Sequence, residues 1–229
     1  MSDAIQRRFY NAAYTKLSSP ATSPRGWQKA LELHRVDAAL RLVPSGNRLL
    51  DIGFGNGMLL AKASSRFAHL AGIDISDVQL AHARHNLALR GITNVSLAQG
   101  NLDRGLPFVA ARFDVVTVIA VLAFVFDPIA ALDEIHRVLR PGGVAVIEVL
   151  NLVYLPRRLA VLAGQLPVHT SCHGWEGGHL HNFTRPALIQ LLRDRGFAVE
   201  HCTGSGVLSP MRTWWPGGLL GNVIALARA

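Results

Sequence analysis

Three glycines stand at alternate positions in the segment 51–57, which reads Asp-Ile-Gly-Phe-Gly-Asn-Gly. The segment follows a predicted buried strand, 48–52, and precedes a predicted helix. Gly53, Gly55 and Gly57 let the backbone turn sharply and approach a ligand without interference from Cβ atoms. The free N–H groups at the start of the next helix favour a carboxylate or a phosphate. Because the spacing matches neither the dinucleotide fingerprint nor the P-loop, we expect a nucleotide-like ligand bound in another way.

A carboxylate ends the next predicted strand. Asp74 follows the apolar stretch 70–73, and an acid at the carboxyl end of a second strand is placed to accept hydrogen bonds from ribose hydroxyls. The polar turn 99–108, after the third predicted strand, is placed to border an adenine. The alternative for Asp74 is a helix-capping or solvated carboxylate. The glycine-rich turn makes the ribose contact the preferred interpretation.

Two histidines alternate with a leucine in the stretch His179-Leu-His181. In an extended chain this alternation places both imidazoles on one side. A group transfer to oxygen or nitrogen requires that the proton of the acceptor atom be removed, and imidazole titrates near neutral pH. We expect His181 to act as the base and His179 to contact the substrate or a lid. The alternative is that both histidines only fix the lid through hydrogen bonds.

Strands and helices alternate along the chain, which predicts an α/β fold with a doubly wound parallel sheet. The last two predicted strands have no helix between them and should form an antiparallel, hairpin-like edge. We predict a helical N-terminal cover over residues 1–44 and a single domain over 45–229 with a lid at 151–182. The predicted strands are 48–52, 70–75, 94–98, 113–120, 144–150, 197–202 and 222–227, and the predicted helices are 27–42, 58–68, 77–90, 128–139 and 186–195.

Composition restricts the class of protein. The chain has 229 residues, of which 50% are hydrophobic and 17% charged, which excludes a disordered chain. Cys172 and Cys202 cannot form a disulfide framework, and we expect reduced thiols in a cytoplasmic protein without signal peptide or membrane span. The net charge of +8 suggests nucleic acid or an anionic membrane, but the arginines are scattered, so we expect no nucleic-acid partner.

Four motifs follow one another between about residues 45 and 150. They read Leu-Leu-Asp-Ile-Gly-Phe-Gly-Asn-Gly, Gly-Ile-Asp-Ile-Ser, Gly-Asn-Leu-Asp-Arg-Gly-Leu-Pro-Phe, and Phe-Asp-Val-Val followed by Leu-Asp-Glu-Ile-His-Arg-Val-Leu-Arg-Pro-Gly-Gly. Together they resemble the class I S-adenosylmethionine-dependent methyltransferases. The resemblance implies a Rossmann-like, seven-stranded sheet with its last strand antiparallel, S-adenosyl-L-methionine as cofactor and S-adenosyl-L-homocysteine as product.

The resemblance also implies roles for individual residues. The three glycines would line the methionine part of the cofactor, and Asp51 would face the same loop. Asp74 would bind the ribose hydroxyls with Ile75 beside it, and Asn101 and Leu102 would lie beside the adenine. Ala120 and Val121, at the end of the fourth strand, would border the sulfonium. No metal site is expected.

Three positions depart from the family pattern. Phe54 stands where Cys or Ser is usual, Asn101 replaces an acid, and Ala123-Phe124 replaces a polar residue after the fourth strand. The amide oxygen of Asn101 can still accept a hydrogen bond from an adenine amino group. Loss of a polar residue after the fourth strand makes the pocket more apolar and removes one candidate base.

The methyl acceptor is expected to be a small, hydrophobic metabolite that is methylated on oxygen or nitrogen. The chain lacks the Asn/Asp-Pro-Pro-Tyr/Phe motif of amino-methylating enzymes, and neither cysteine lies where a cytosine-C5 enzyme needs one. The acceptor pocket should be formed by 151–182 and the N-terminal helix, whose Tyr10 and Tyr14 share one face and should fold over the cofactor.

Several alternatives stay open at this point. The apolar segment 150–164, with its Arg157-Arg158 pair, is interpreted as a lid, with contact to a lipid or membrane surface as the alternative. The charge keeps an RNA methyltransferase among the candidates. Phe54, Asn101 and Ala123 keep a catalytically weakened, cofactor-binding regulatory or scaffold protein. A homodimer is one alternative for the assembly.

Overall fold

The computed structural model describes residues 3–16, 35–164, 180–205, 211 and 214–229. The strands in chain order are β1 Gly46–Ile52, β2 Phe67–Asp74, β3 Val95–Gln99, β4 Phe113–Ile119, β5 Leu139–Leu150, β6 Ala198–Ser205 and β7 Asn222–Arg228. The helices are α1 Asp3–Lys16, α2 Arg35–Leu40, α3 Met58–Ala63, α4 Asp77–Ala88, α5 Pro128–Val138, α6 Leu155–Leu162, α7 Arg185–Asp194 and α8 Pro216–Leu219. None of these helices is long and apolar enough to cross a lipid bilayer.

The strands form one seven-stranded sheet in the order β3-β2-β1-β4-β5-β7-β6. Neighbours from β3 to β5 pair in parallel, and β7 is antiparallel to both β5 and β6. The α/β fold and the antiparallel last strand are therefore confirmed. The predicted antiparallel pairing of the last two strands at an edge of the sheet is also confirmed, with β6 as the outermost strand and β7 between β6 and β5. Pairing on both sides buries the apolar β7, which an edge position would expose.

Helices cover both faces of the sheet. On one face α5 and α7 pack against the strands through apolar residues such as Leu132, Ile135 and Leu188. On the other face α2, α3 and α4 contribute small and aliphatic residues, among them Ala39 and Leu60. The central strands are consequently apolar on both sides, as expected for parallel strands between two helical layers.

Caps define the helix starts that the sequence predicted. The Ser76 side chain accepts a hydrogen bond from the backbone N–H of Gln79 at the start of α4. Thr184 caps α7 in the same way, with Pro186 in the first turn. The predicted start at residue 77 is confirmed, and the helix predicted from residue 186 begins one residue earlier, at Arg185.

The two largest differences from the predicted boundaries lie at the end of α3 and at the start of β5. The helix after the glycine-rich turn ends at Ala63 instead of continuing to residue 68, because Phe67 pairs with Gly46 and begins β2. Strand β5 begins at Leu139 rather than at residue 144, since Leu139 already pairs with Phe113. Residues 27–34 of the predicted helix 27–42 and residues 165–179 of the predicted lid lie outside the described residues.

Candidate functional site

The glycine-rich turn leaves β1 at the carboxyl edge of the sheet. Gly53 has a φ of 72°, and a Cβ there would lie 2.2 Å from a side-chain methyl of Val121. Only glycine fits this position. Gly55 has a φ of 54°, and a Cβ on it would meet no atom within 4 Å. The turn is therefore packed against the loop after β4 on one side and open on the other.

Gly57 has a packing role instead. Its φ is 79°, and a Cβ there would lie 3.2 Å from the Cβ of Ala83 in α4. It is not among the residues that line the adjoining cavity. Its place at the start of α3 lets that helix approach α4 closely.

The Asp74 carboxylate lies directly beside the turn. One carboxylate oxygen accepts a hydrogen bond from Gly55 N–H at 2.9 Å, and the other accepts from Ser76 N–H at 2.9 Å. Burial raises the pKa of Asp74, and these backbone N–H groups act in the opposite direction. Since a carboxylate offers about four acceptor positions, Asp74 keeps capacity for a ligand hydroxyl.

Asp51 is the second buried acid of the site. Its carboxylate is 2% exposed and accepts a hydrogen bond from the Thr117 hydroxyl at 2.7 Å. Burial raises its pKa to about 7, against the opposing effect of the Thr117 hydrogen bond. The Asp51 carboxyl therefore changes its protonation state close to neutral pH.

One cavity of about 780 Å³ joins these groups, a volume within the usual range for small-molecule sites. Nine of the ten residues predicted to contact a cofactor line it, with Gly57 as the exception. The nine are Asp51, Gly53, Gly55, Asp74, Ile75, Asn101, Leu102, Ala120 and Val121.

Asn101 is engaged differently from the sequence expectation. Its amide oxygen accepts a hydrogen bond from Asp103 N–H at 3.0 Å. Its amide nitrogen donates to Asp3 at 2.5 Å and to Gln6 at 2.6 Å, both in α1. Asn101 thus connects the N-terminal helix to the turn after β3.

Helix α1 forms one wall of the cavity. Tyr10 and Tyr14 both line it, and their rings are stacked with centroids 6.3 Å apart. Burial raises the pKa of both phenols, so they remain protonated donors at neutral pH. The predicted shared face of the two tyrosines is confirmed.

The loop after β4 forms an apolar wall. Ala120 has a φ of 57°, which turns the chain sharply at the end of β4. Val121, Phe124 and Val125 follow it along the cavity. This apolar surface lies beside the glycine-rich turn, so a polar and an apolar half share one cavity.

His181 lies behind that wall. Its Nε2 is 3.0 Å from the carbonyl oxygen of Val125, and its backbone N–H donates to the carbonyl of Ala123 at 3.1 Å. It is not among the cavity-lining residues, and neither is any residue of α6. His179 lies outside the described residues. The observed contacts of His181 position the loop after β4.

Sequence reasoning missed several polar groups. Arg35, His82 and His85 line the cavity although no motif marked them. Glu148 does not line the cavity but is buried in β5, 1% exposed, and burial raises its pKa to about 7. A single glutamate within the apolar run 144–150 could have been recognised from the sequence as a buried acid.

The sequence of this chain is similar to those of known methyltransferases. The family described as a methyltransferase domain matches residues 50–147. A ubiquinone biosynthesis O-methyltransferase from Xylella fastidiosa is 30% identical over 215 residues, covering 89% of this chain and 86% of the relative. The chain belongs to the S-adenosylmethionine-dependent methyltransferases.

One further relative and one solved structure are also similar to this methyltransferase. A ubiquinone biosynthesis O-methyltransferase from Pseudomonas aeruginosa is 33% identical over 161 residues, covering 70% of this chain and 68% of the relative. A solved S-adenosylmethionine-dependent methyltransferase from Mesorhizobium loti superposes with a TM-score of 0.64 at 22% identity, covering 84% of this chain and 96% of that one. The second similarity concerns the fold.

The cofactor of this methyltransferase is S-adenosylmethionine, and S-adenosylhomocysteine is the product. The residues present fit that group. The space where a Cβ of Gly55 would stand is open, and the Asp74 carboxylate beside it has acceptor capacity left. A backbone cradle and a hydroxyl acceptor are thus available in the same cavity.

Proposed function

We propose that this methyltransferase transfers a methyl group to a hydroxyl oxygen of a small, hydrophobic acceptor. The observation that carries the proposal is the divided cavity. Asp74 and the glycine-rich turn provide polar groups at one part of it, and Val121 and Phe124 provide an apolar wall at another. The names of the relatives, O-methyltransferases of ubiquinone biosynthesis, support oxygen as the acceptor atom.

The bound cofactor supplies an electrophilic methyl group on a sulfonium. We assign to Asp74 the acceptance of hydrogen bonds from the ribose hydroxyls, with Ile75 beside it. Gly53 and Gly55 would cradle the methionine part together with Asp51, and Asn101 and Leu102 would flank the adenine. Ala120 and Val121 would border the sulfonium, where the chain turns sharply at the end of β4.

His181 stays the proposed base for the acceptor hydroxyl, and this role requires that the acceptor reach it past the wall of Val121 and Phe124, since His181 does not itself line the cavity. If Nε2 carries the proton and donates it to the Val125 carbonyl, Nδ1 is the ring nitrogen that can accept a proton. The Val125 contact would then fix both the tautomer and the ring orientation. His179 is proposed to contact the acceptor or the lid.

The remaining predictions concern partners and location. The lid at 151–182, the cytoplasmic location, a homodimer and the exclusion of nucleic acid stay predictions. An RNA methyltransferase would instead bind RNA with a steep dependence on salt. A scaffold protein would bind the cofactor tightly without turnover.

The test combines cofactor binding with methyl transfer to phenolic acceptors of increasing apolar length. Asp74→Ala should weaken S-adenosylmethionine binding roughly ten- to a hundredfold in calorimetry, since charge-assisted hydrogen bonds to the ribose are lost. Asp194→Ala is the control, because Asp194 is exposed and, among the described residues, its side chain pairs with Gln190 alone. Unchanged affinity in Asp74→Ala would show that the ribose assignment is wrong.

Turnover in the same assay tests the acceptor and the base. O-methylated product should form faster with the more apolar acceptors, and His181→Ala should lower the rate on the order of a hundredfold at unchanged cofactor affinity. Product methylated only on nitrogen or on RNA would refute the proposed acceptor. A normal rate in His181→Ala would leave proximity and orientation as the catalytic device.

A further inference from the structure

The cavity wall contains a glutamine whose side-chain oxygen is unpaired. Gln79 lies in the first turn of α4 and lines the cavity. Its Oε1 is shielded from solvent and accepts no hydrogen bond from any residue that the structure describes. A buried acceptor without a donor destabilises the folded chain, and nearly all such groups in proteins have a partner. In a cavity wall, a bound ligand can provide that partner.

The usual local partner of a glutamine at this position is already bonded elsewhere. A glutamine three residues after a serine N-cap commonly accepts a hydrogen bond from the backbone N–H of that serine. Here Ser76 is the N-cap, and its N–H donates to the Asp74 carboxylate at 2.9 Å instead. The helix start therefore does not explain why the chain has a side-chain amide at position 79.

The position of α4 relates Gln79 to one part of the cavity. This helix connects β2 to β3 and packs against both strands. Asp74 ends β2, while Asn101 and Leu102 follow β3, and all three line the same cavity as Gln79. Gln79 therefore borders the part of the cavity between the ends of β2 and β3. With the ribose at Asp74 and the base beside Asn101 and Leu102, this part would contain the adenine.

The polar side chains of the turn after β3 are engaged by the protein itself. The Asn101 oxygen accepts from the N–H of Asp103 at 3.0 Å. The Asp103 carboxylate accepts from the Gln6 amide at 2.9 Å and from the N–H of Phe126 at 2.8 Å. Within the described part of the chain, Gln79 thus offers an acceptor that the protein has not already used.

We propose that Gln79 recognises the adenine base of S-adenosylmethionine, with Oε1 accepting a hydrogen bond from the 6-amino group. A glutamine amide matches adenine, because the amino group donates to its oxygen while a ring nitrogen accepts from its nitrogen. The Gln79 side chain as a whole is half-buried, and its last torsion is soft, so the oxygen can turn toward the base. The proposal rests on the proposed ribose contact of Asp74, which places the adenine beside Gln79.

The test is calorimetric binding of S-adenosylhomocysteine and of its analogue with hydrogen in place of the 6-amino group. The wild type should bind S-adenosylhomocysteine about tenfold more tightly, because the analogue leaves Oε1 unpaired. Gln79→Met has a similar length and no amide, so it should bind S-adenosylhomocysteine about tenfold more weakly and the analogue with unchanged affinity. Gln79→Glu keeps an acceptor oxygen and should keep the preference for the amino group.

Gln190→Met is the matched control, since Gln190 is exposed on α7 and does not line the cavity. Its affinities for both ligands should equal those of the wild type. Equal losses for both ligands in Gln79→Met would overturn the proposal, because the amide would then pair with another part of the ligand.

Asp74→Ala distinguishes failure of this proposal from failure of the ribose contact. If Asp74→Ala weakens both ligands alike while Gln79→Met keeps the tenfold preference, the ribose contact stands and the role of Gln79 is wrong. If Asp74→Ala leaves both affinities unchanged, the ribose contact is wrong and the placement of the adenine beside Gln79 is lost with it.

Discussion

At the scale of single residues, Glu148 carries an energetic cost that depends on pH. It lies in the apolar strand β5 between Ile119 and Ile224, and its Oε2 has no hydrogen-bond partner in the described structure. Burial raises its pKa to about 7, while the charges of Arg35 and Arg157 partly oppose this. The folded chain thus holds this proton more tightly than the unfolded chain, whose glutamate titrates near its ordinary value.

The folded state should therefore lose stability as pH rises from about 4.5 to about 7. Glu148→Gln should remove this group's share of the loss, so the variant gains on the wild type between pH 5 and pH 8. Urea unfolding across this range measures the difference. Glu134→Gln is the control, because Arg137 lowers the pKa of Glu134 and its effect should be constant between about pH 6 and pH 8. A constant difference for Glu148→Gln as well would contradict the prediction.

At the scale of elements, α1 closes the cavity through polar contacts at several positions along the helix. The Ser76 hydroxyl donates to the Asn11 side chain at 2.8 Å, and the Asn11 amide donates to Asp77 at 3.1 Å. Gln6 donates to Asp103 at 2.9 Å. These bonds attach α1 to the two turns that follow β2 and β3. A ligand in the cavity would contact both sides of this attachment.

S-adenosylmethionine should consequently protect α1 against limited proteolysis. Asn11→Ala should increase the cleavage rate without cofactor on the order of fivefold, since about one net hydrogen bond of docking energy is lost. Thr15→Ala is the control, because the Thr15 hydroxyl donates to the Asn11 carbonyl within the helix and makes no other hydrogen bond in the part of the chain that the structure describes. Equal cleavage rates with and without cofactor would show that α1 does not cover it.

At the scale of the whole molecule, cofactor binding and folding are linked. The cavity is lined by residues from α1, from the ends of β1, β2 and β4, and from the loop after β3. Because these segments come together only in the folded chain, the unfolded chain has no such site. At a hundredfold excess over Kd, a ligand of the folded state adds about 2.7 kcal/mol to the free energy of unfolding. For a chain of this size the melting temperature should rise by roughly 5–10 °C.

Calorimetric scans with S-adenosylmethionine and S-adenosylhomocysteine measure this shift. Asp74→Ala at the same ligand concentration should show a clearly smaller rise, because its Kd is larger. Asp194→Ala should match the wild type. A melting temperature that both ligands leave unchanged in the wild type would contradict the linkage.

The sequence by itself determined the features that depend on short-range chemistry. Gly53 and Gly55 could be predicted as site residues from their position after an apolar strand. Asp74 could be predicted from its position at the end of the next strand. Ser76 and Thr184 specified helix starts because their side chains bond to N–H groups three residues away. The parallel sheet followed from the alternation of strands and helices.

The tertiary structure alone decided which distant segments meet. It inserted β7 between β5 and β6, and it used the amide of Asn101 to hold α1. It set the charge of Arg35 close enough to Glu148 to affect that carboxyl, and it directed α6 away from the cavity. Each of these outcomes depends on burial and charge between segments far apart in the chain, and local spacing in a sequence does not encode those distances.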